Sequence, residues 1–236
     1  MRKSKLHYIF ALSLGIPLFL LIDSPYCAVY MPASQNLSTF LVLLVYITLY
    51  KRSSKRFRTI MLIGVGVGFA GEFLFSLILG MYHYRLGNIP LWVGFGHSLI
   101  FASVHKVIRI PFILKHHTAT LKTLLAFIVI YATTWLVLKN DVFGFIATLM
   151  FLLLLAIEKK SQMFFTVMFV IVAYIELVGT TTGTWQWPDM LMGRFSSIPS
   201  ANPPSGIAFF YFLFDYIVLF IYLQLNPQVK KRYQQQ

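Results

Sequence analysis

The sequence is poor in charged residues and in cysteine. Only 11% of the 236 residues are charged, against about 25% in a typical soluble domain, and 58% are hydrophobic, with a mean hydropathy of +0.74. This much apolar surface cannot be hidden inside one soluble core of this size, so lipid is the expected solvent. The single cysteine, Cys27, excludes an intrachain disulfide and a cysteine-based metal site.

Acidic residues are scarcer than basic ones. The chain has 7 Asp and Glu against 20 Lys and Arg, which gives a net charge of +13. Nucleic-acid-binding proteins share this sign of charge, but here the basic residues form short clusters between apolar runs. The sequence also has no recognisable nucleic-acid-binding module. The clusters therefore predict orientation in a bilayer, with membrane lipids as partners and no nucleic acid.

Eight apolar segments follow one another along the chain and predict an all-α, polytopic transmembrane bundle of about eight spans. A perpendicular span needs roughly 20 residues, so the second, fifth and sixth segments are short, and seven or nine spans are alternatives. Residues 1–236 are predicted to form a single transmembrane domain with a cytoplasmic tail at 226–236. The segments are 6–22, 37–50, 59–81, 90–108, 121–138, 142–157, 163–181 and 206–225.

The basic residues predict the orientation of these spans. With the N-terminus in the cytoplasm, 17 of the 20 Lys and Arg fall on the cytoplasmic side, and only Arg85, Lys139 and Arg194 fall outside. Both termini are therefore predicted to be cytoplasmic, in a bacterial inner membrane. The basic start and the apolar run after it also fit a signal peptide, but the charge alternation favours an uncleaved first span.

Two stretches resemble each other and predict a duplication. Each has an intramembrane Glu, a Ser or Thr four residues later, and then Gly-x-aromatic-x-aromatic. Because the third and seventh segments share an orientation, we expect a 4+4 tandem parallel repeat with halves 1–115 and 116–225. Chance similarity is the alternative, since the first two spans of each half show no convincing likeness. The matched residues are Glu72, Ser76, Gly80, Tyr82 and Tyr84, and Glu176, Thr180, Gly183, Trp185 and Trp187.

Four ionisable residues fall well inside the apolar segments, away from their cytoplasmic ends, where such groups are costly and usually face a bundle interior. They are Glu72, His97, Glu176 and Asp215. At about 1.5 Å per helical residue, all four lie about 9–15 Å from the outer ends of their helices. We expect them to meet around one polar pocket that opens to the outside. The substrate-binding residues are expected from two outer loops: Tyr82, Tyr84, Arg85, Asn88 and Trp92, and Trp185, Trp187 and Asn202.

Three interpretations of this cluster remain open. Buried acids that share protons and hydrogen bonds can be purely structural. Carboxyl groups with a histidine also suit general acid–base catalysis on a lipophilic small molecule, with Glu72 and Glu176 as catalytic residues tuned by His97 and Asp215. A proton or ion relay in a transporter is the third interpretation. The spacing matches no metal motif and no phosphate-binding glycine motif is present, so neither a metal nor a cofactor is predicted.

The first motif and its loop also resemble known families. The order Glu72, Gly80, Tyr82, Tyr84 and Pro90 resembles the carotenoid-biosynthesis membrane proteins of the hydratase type in bacteria and archaea. This resemblance implies acid-catalysed addition of water to an isoprenoid double bond, with a buried acid as proton donor. The blocks 85–92 and 202–206 are similar to bacterial multi-pass membrane proteins of unknown function. The second half of the chain and the position of His97 depart from the hydratase pattern.

Overall fold

The computed structural model describes the backbone of residues 7–234 and the side chains of 9, 10 and 12–230. The basic residues Arg2, Lys3 and Lys5 of the sequence argument lie outside the described residues. Helices dominate the described chain. They are α1 His7–Ile22, α2 Pro25–Ala28, α3 Ser34–Lys51, α4 Lys55–Glu72, a π-helix Phe73–Ile78, α5 Trp92–Val107, α6 Pro111–Lys115, α7 His117–Lys139, α8 Val142–Ile157, a 3-10 helix Lys159–Ser161, α9 Gln162–Thr181, α10 Ala208–Leu225 and α11 Pro227–Gln234.

A long helix lies over each of the eight apolar segments, and the prediction of an α-helical membrane protein is confirmed. Four helical stretches of the described chain are long and apolar enough to cross a bilayer alone: Lys55–Ile78, His117–Lys139, Lys159–Thr181 and Ala208–Leu225. The fifth segment, expected to be short at 121–138, is the 23-residue α7 because polar residues at both ends join the helix. The count of eight crossings stays a prediction.

Helix α9 lies at the centre of the bundle. Of its span, 61% is buried within the protein, against 17–28% for the other three long apolar helices. It packs against α1, α5, α7 and α10. The protein therefore holds Glu176, which α9 carries, deep among its own helices.

Helices α4, α5 and α10 pack closely through glycines. A Cβ added at Gly68 would lie 3.2 Å from the Cα of Gly94 and 3.2 Å from the Cβ of His97, and one added at Gly71 would overlap the ring of Phe214. Small residues on one ridge let helices approach closely. This packing brings α5, with His97, against the face of α4 that ends in Glu72.

The apolar run 59–81 suggested one regular helix, but the third segment is divided into an α-helix and a π-helix. Helix α4 ends at Glu72 and the chain continues as a π-helix, in which the Leu79 amide donates to the carbonyl of Leu74 at 2.9 Å. π-helical turns are rare and occur often at functional sites. The irregular turns therefore begin directly after the glutamate of the first motif.

Four short strands, absent from the sequence prediction, lie in the two long loops. The strand β1 (His83–Tyr84) pairs antiparallel with β2 (Trp185–Gln186), and Tyr84 lies opposite Trp185. A second hairpin joins β3 (Met190–Leu191) to β4 (Phe195–Pro199). The β1–β2 pair connects the loop after the third segment to the loop after the seventh.

Candidate functional site

Glu72 accepts hydrogen bonds from two tyrosines and contacts a histidine. Its Oε2 accepts from the hydroxyls of Tyr82 (2.7 Å) and Tyr84 (2.8 Å), and its Oε1 lies 2.8 Å from Nε2 of His97. The carboxyl group is buried, with 3% of the residue exposed. A buried carboxylate needs donors to replace water, and these three side chains supply them when His97 carries a proton on Nε2.

The hydroxyl groups of Tyr82 and Tyr84 stay protonated, so they can donate hydrogen bonds to Glu72. Burial raises the pKa of Tyr82 well above its ordinary value, and the charge of Glu72 raises it further. The pKa of Tyr84 is raised well above its ordinary value for the same two reasons. Both hydroxyls therefore keep their protons at neutral pH and remain able to donate to Glu72.

Glu176 has a matching arrangement. Its Oε2 accepts from the indole Nε1 of Trp185 and of Trp187, both at 2.9 Å. Both bonds end on the same oxygen, which leaves Oε1 of the carboxyl group for a proton or a ligand. Each glutamate of the two motifs thus binds the two aromatic residues that follow its own glycine.

The glycine of each motif turns the chain from the helix into the short strand. Gly80 has φ +62° and Gly183 has φ +72°, in the left-handed region where glycine carries no steric penalty. Strand pairing then brings the aromatic residues of the two motifs together, with ring centroids 4.6 Å apart for Tyr82–Trp187 and 6.1 Å apart for Tyr84–Trp185. Four aromatic rings lie together beside the two carboxyl groups.

The first loop is anchored by an acid that the sequence argument missed. Asp23, which directly follows the C-terminal end of α1, is 1% exposed and pairs with Arg85, whose Nη2 lies 2.8 Å from its Oδ1. Its Oδ2 accepts from the indole of Trp92 at 2.7 Å, and Asn88 donates to Gln35 at 2.8 Å. Arg85, Asn88 and Trp92, which were predicted to bind substrate, thus hold the loop to α1 and α3.

A second missed acid anchors the other loop. Asp141 accepts from the backbone amides of Gly144 (3.1 Å), Ala201 (3.0 Å) and Ser205 (2.7 Å), so it caps α8 and binds the segment before α10. The predicted substrate ligand Asn202 accepts instead from the backbone amide of Trp187 at 3.1 Å. Asp23 and Asp141 each follow the first segment of a predicted half, and this shared position is the signal that could have found them.

Asp215 is not part of the site around Glu72, contrary to the expectation of one pocket. It lines a separate cavity of about 20 Å³, which His97 and Tyr211 also line. Its buried Oδ2 has no hydrogen-bond partner among the described residues. Asp215 lies one helical turn beyond Tyr211 on α10, and Tyr211 lines both cavities while Asp215 lines only the small one.

The main cavity brings together eight of the predicted site residues, and Arg85, Asn88 and Asn202 do not line it. It has a volume of about 560 Å³ and is lined by Glu72, His97 and Glu176 together with Tyr82, Tyr84, Trp92, Trp185 and Trp187. From these groups it extends between α1, α3 and α5, where its walls are mostly apolar. Ligand sites of this size usually combine apolar walls with a few converging polar groups.

The ionisable side chains of the described residues, 7–234, do not form a group of three His, Cys, Asp or Glu that could hold a metal ion. The polar groups next to Glu72 and Glu176 are mainly phenol and indole groups, which donate hydrogen bonds. These donors stabilise the two carboxyl groups that they contact.

The fold and this cluster define an α-helical membrane protein with paired carboxyl groups at an internal cavity. Comparison with known proteins adds nothing further: no family model matches the chain, and no curated protein and no solved structure is significantly similar to it.

Proposed function

We propose that this protein is a membrane-embedded enzyme that modifies a lipid or an isoprenoid by acid–base chemistry. One observation carries the proposal: Glu72, with three hydrogen-bonding partners, and Glu176 line the same largely apolar cavity. Positioned proton donors and acceptors of this kind contribute about 10²–10⁴-fold to reaction rates. The apolar walls favour a substrate that dissolves in the bilayer.

The roles follow from the contacts of each group. Glu72 accepts a proton from the substrate, since its donors stabilise the charge on its oxygens, and Glu176 supplies a proton from Oε1. His97 positions Glu72, while Asp215 acts on His97 across the small cavity that both line. One carboxyl group gains a proton as the other loses one, so the step needs no cofactor.

We further propose eight spans, both termini in the cytoplasm of a bacterial cell, and a 4+4 parallel repeat. The duplicated glutamate contacts, the similar glycine conformations and the anchoring acids Asp23 and Asp141 support the repeat. In this orientation the two loops and the glutamate end of the cavity lie on the periplasmic side. The cluster then acts close to the outer leaflet.

Complementation of a deletion strain tests the enzyme proposal. Glu72→Gln and Glu176→Gln should insert at normal levels and fail to complement, and mass spectrometry should detect one accumulated lipid or isoprenoid. Glu158→Gln is the matched control, because Glu158 lies at the end of α8 and does not line the cavity. Full complementation by both cavity variants, with unchanged lipids, would mean that the carboxyl cluster is structural.

A carrier for protons or a lipophilic solute is the second candidate. It is favoured by the length of the cavity, whose lining extends from the glutamates to Arg52 and Lys106 near the opposite helix ends. A carrier predicts solute flux that collapses with the proton gradient and no altered lipid in the deletion strain. An enzyme predicts an altered lipid that persists when the gradient is dissipated. A purely supporting role in the cell envelope predicts neither effect.

A further inference from the structure

The two ends of the main cavity have opposite chemistry. At one end lie the carboxyl groups of Glu72 and Glu176, and at the other end the lining includes Arg52 and Lys106. The lining between them is mostly apolar and includes Val42, Leu49 and Ile100. The cavity is therefore amphipathic along its length.

The length of the cavity follows from the helices that border it. On α3 the lining runs from Ser38 to Arg52, the residue that directly follows the helix, and on α5 from Trp92 to Lys106. Each stretch covers 15 residues, so its first and last residues are 14 steps apart, or about 21 Å at 1.5 Å per residue. Lining residues Leu44 and Val45 on α3 are also half exposed on the outer surface of the bundle. The cavity is thus reachable from the side, where lipid would lie.

The end of the cavity that is lined by Arg52 and Lys106, here called the basic end, carries positive charge that a ligand can neutralise. The ion pairs among the described side chains are Asp23–Arg85 and Glu72–His97, and neither uses Arg52 or Lys106. Lys106 lies 5.8 Å from the ring centroid of Phe57, a contact that leaves its positive charge uncompensated. An anionic group is favoured at this end and repelled by the carboxyl groups at the other.

We infer that the cavity binds an amphiphile with a phosphate headgroup and an apolar chain of about 20 Å, with the headgroup at Arg52 and Lys106. The inference rests on the proposed function and refines it. The chain would end beside Glu72, His97 and Glu176, so the chemistry falls on the far end of the tail and not on the headgroup. Phosphorylated isoprenoids and phospholipids share this chemistry.

Binding of defined probes to the purified protein tests this orientation. The probes are geranylgeranyl phosphate, its neutral alcohol geranylgeraniol, and dioleoyl phosphatidic acid, with Trp emission as the readout, since Trp92, Trp185 and Trp187 line the far end of the cavity. We expect the prenyl phosphate to bind at least about tenfold more tightly than the alcohol, the effect of one charge-assisted contact. Tighter binding of dioleoyl phosphatidic acid than of geranylgeranyl phosphate would identify the ligand as a two-chain phospholipid, and the reverse would identify it as a phosphorylated isoprenoid.

Two matched variants locate the headgroup. Arg52→Gln with Lys106→Gln should weaken binding of the prenyl phosphate at least about tenfold. Lys51→Gln with Lys55→Gln removes the same charge from nearby positions that do not line the cavity, and should change binding less than twofold. Equal losses in the two double variants would overturn the inference, because they would mean that general surface charge attracts the probe.

A steric variant tests the cavity without changing its charge. Gly15 lines the cavity with only Phe19 near its added Cβ, so Gly15→Phe should fill the cavity and abolish binding. Gly66→Phe is the control, since nothing lies within 4 Å of its added Cβ and it does not line the cavity. Unchanged binding by Gly15→Phe would overturn the inference.

The outcomes also separate this inference from the proposed function. If Glu72→Gln and Glu176→Gln complement fully while the probe still depends on Arg52 and Lys106, the enzyme proposal fails and the binding site stands. If the glutamate variants fail to complement while geranylgeraniol binds as tightly as its phosphate, the enzyme proposal stands and the headgroup assignment is overturned.

Discussion

Each of four buried acids, at the end of the bundle that carries the two long loops, has its own set of donors, and these sets differ in kind. Glu72 takes two phenols and an imidazole, Glu176 takes two indoles, Asp23 takes a guanidinium and an indole, and Asp141 takes backbone amides. Only the two glutamates also line the main cavity. Removing an aspartate should therefore affect folding, and removing a glutamate should affect function.

The ion pair between Asp23 and Arg85 gives a direct test at this scale. Removal of one partner from a buried pair leaves an uncompensated charge and costs about 3–5 kcal/mol. Asp23→Asn should therefore lower the thermal unfolding temperature in detergent substantially. Arg194→Gln removes an exposed arginine and should stay within about 0.5 kcal/mol of wild type. Similar effects for the two variants would contradict a structural role for the pair.

Tyr82 and Tyr84 predict a dependence of stability on pH. Tyrosine in an unfolded chain ionises near pH 10, and burial beside Glu72 holds the folded-state pKa of both groups above this value. Stability is fully present below about pH 10 and is lost as the pH rises from there towards the folded-state pKa. Unfolding measured between pH 8 and 11 should show this loss in the wild type.

The variant with both Tyr82→Phe and Tyr84→Phe should lose less stability over the same pH range. It should also be less stable at neutral pH by about 1 kcal/mol for each lost hydrogen bond. Tyr26→Phe is the control, because Tyr26 is 66% exposed. An alkaline loss of the same size in the double variant would mean that other groups cause it.

At the scale of elements, the contact between α4 and α5 depends on one glycine ridge. Gly68→Ala places a methyl group 3.2 Å from backbone and side-chain carbons of α5, and such overpacking costs about 1–3 kcal/mol. Gly66 lies on the same helix, and nothing is within 4 Å of a Cβ added there. Gly66→Ala should therefore leave the stability of the protein unchanged or raise it by up to about 1 kcal/mol, because alanine has the higher helix propensity. Thermal unfolding of the two variants compares them directly; equal effects would rule out the close packing.

The helices could be predicted from the sequence because each apolar run of a membrane protein must satisfy its own backbone hydrogen bonds. The loops could not, since their structure depends on partners far away in the chain. Arg85 was recognised as a loop residue, but its partner Asp23 lies 62 residues earlier. The strand pair β1–β2 joins residues about 100 positions apart, and two-residue strands leave no periodic pattern.

The position of Asp215 also needed the structure. Depth estimated from helix ends placed it with the glutamates, but in the structure Asp215 lines a second cavity, and the two glutamates line the main one. The mutual contact of Glu72 and His97, by contrast, follows from the close approach of α4 and α5 at Gly68. The close approach of the helices, and not the depth of each residue alone, therefore decides which polar side chains meet.

For the whole molecule, the predicted topology has a simple test. In a Cys27→Ser background, Arg194→Cys should react with a membrane-impermeant maleimide added outside spheroplasts, and Lys160→Cys should react only after the membrane is opened. Both positions are exposed, so burial cannot explain a missing signal. Labelling of Lys160→Cys from outside would contradict the eight-span arrangement with cytoplasmic termini.

The strand pair between the two loops has a consequence for how the protein can change over evolution. Each loop supplies half of a shared backbone ladder, and the rings of each loop pack on those of the other. A substitution that shifts Tyr84 must therefore be matched by one near Trp185. The two loops therefore cannot change independently, and one loop without the other would lose the strand partner that orders the aromatic donors of its own carboxyl group.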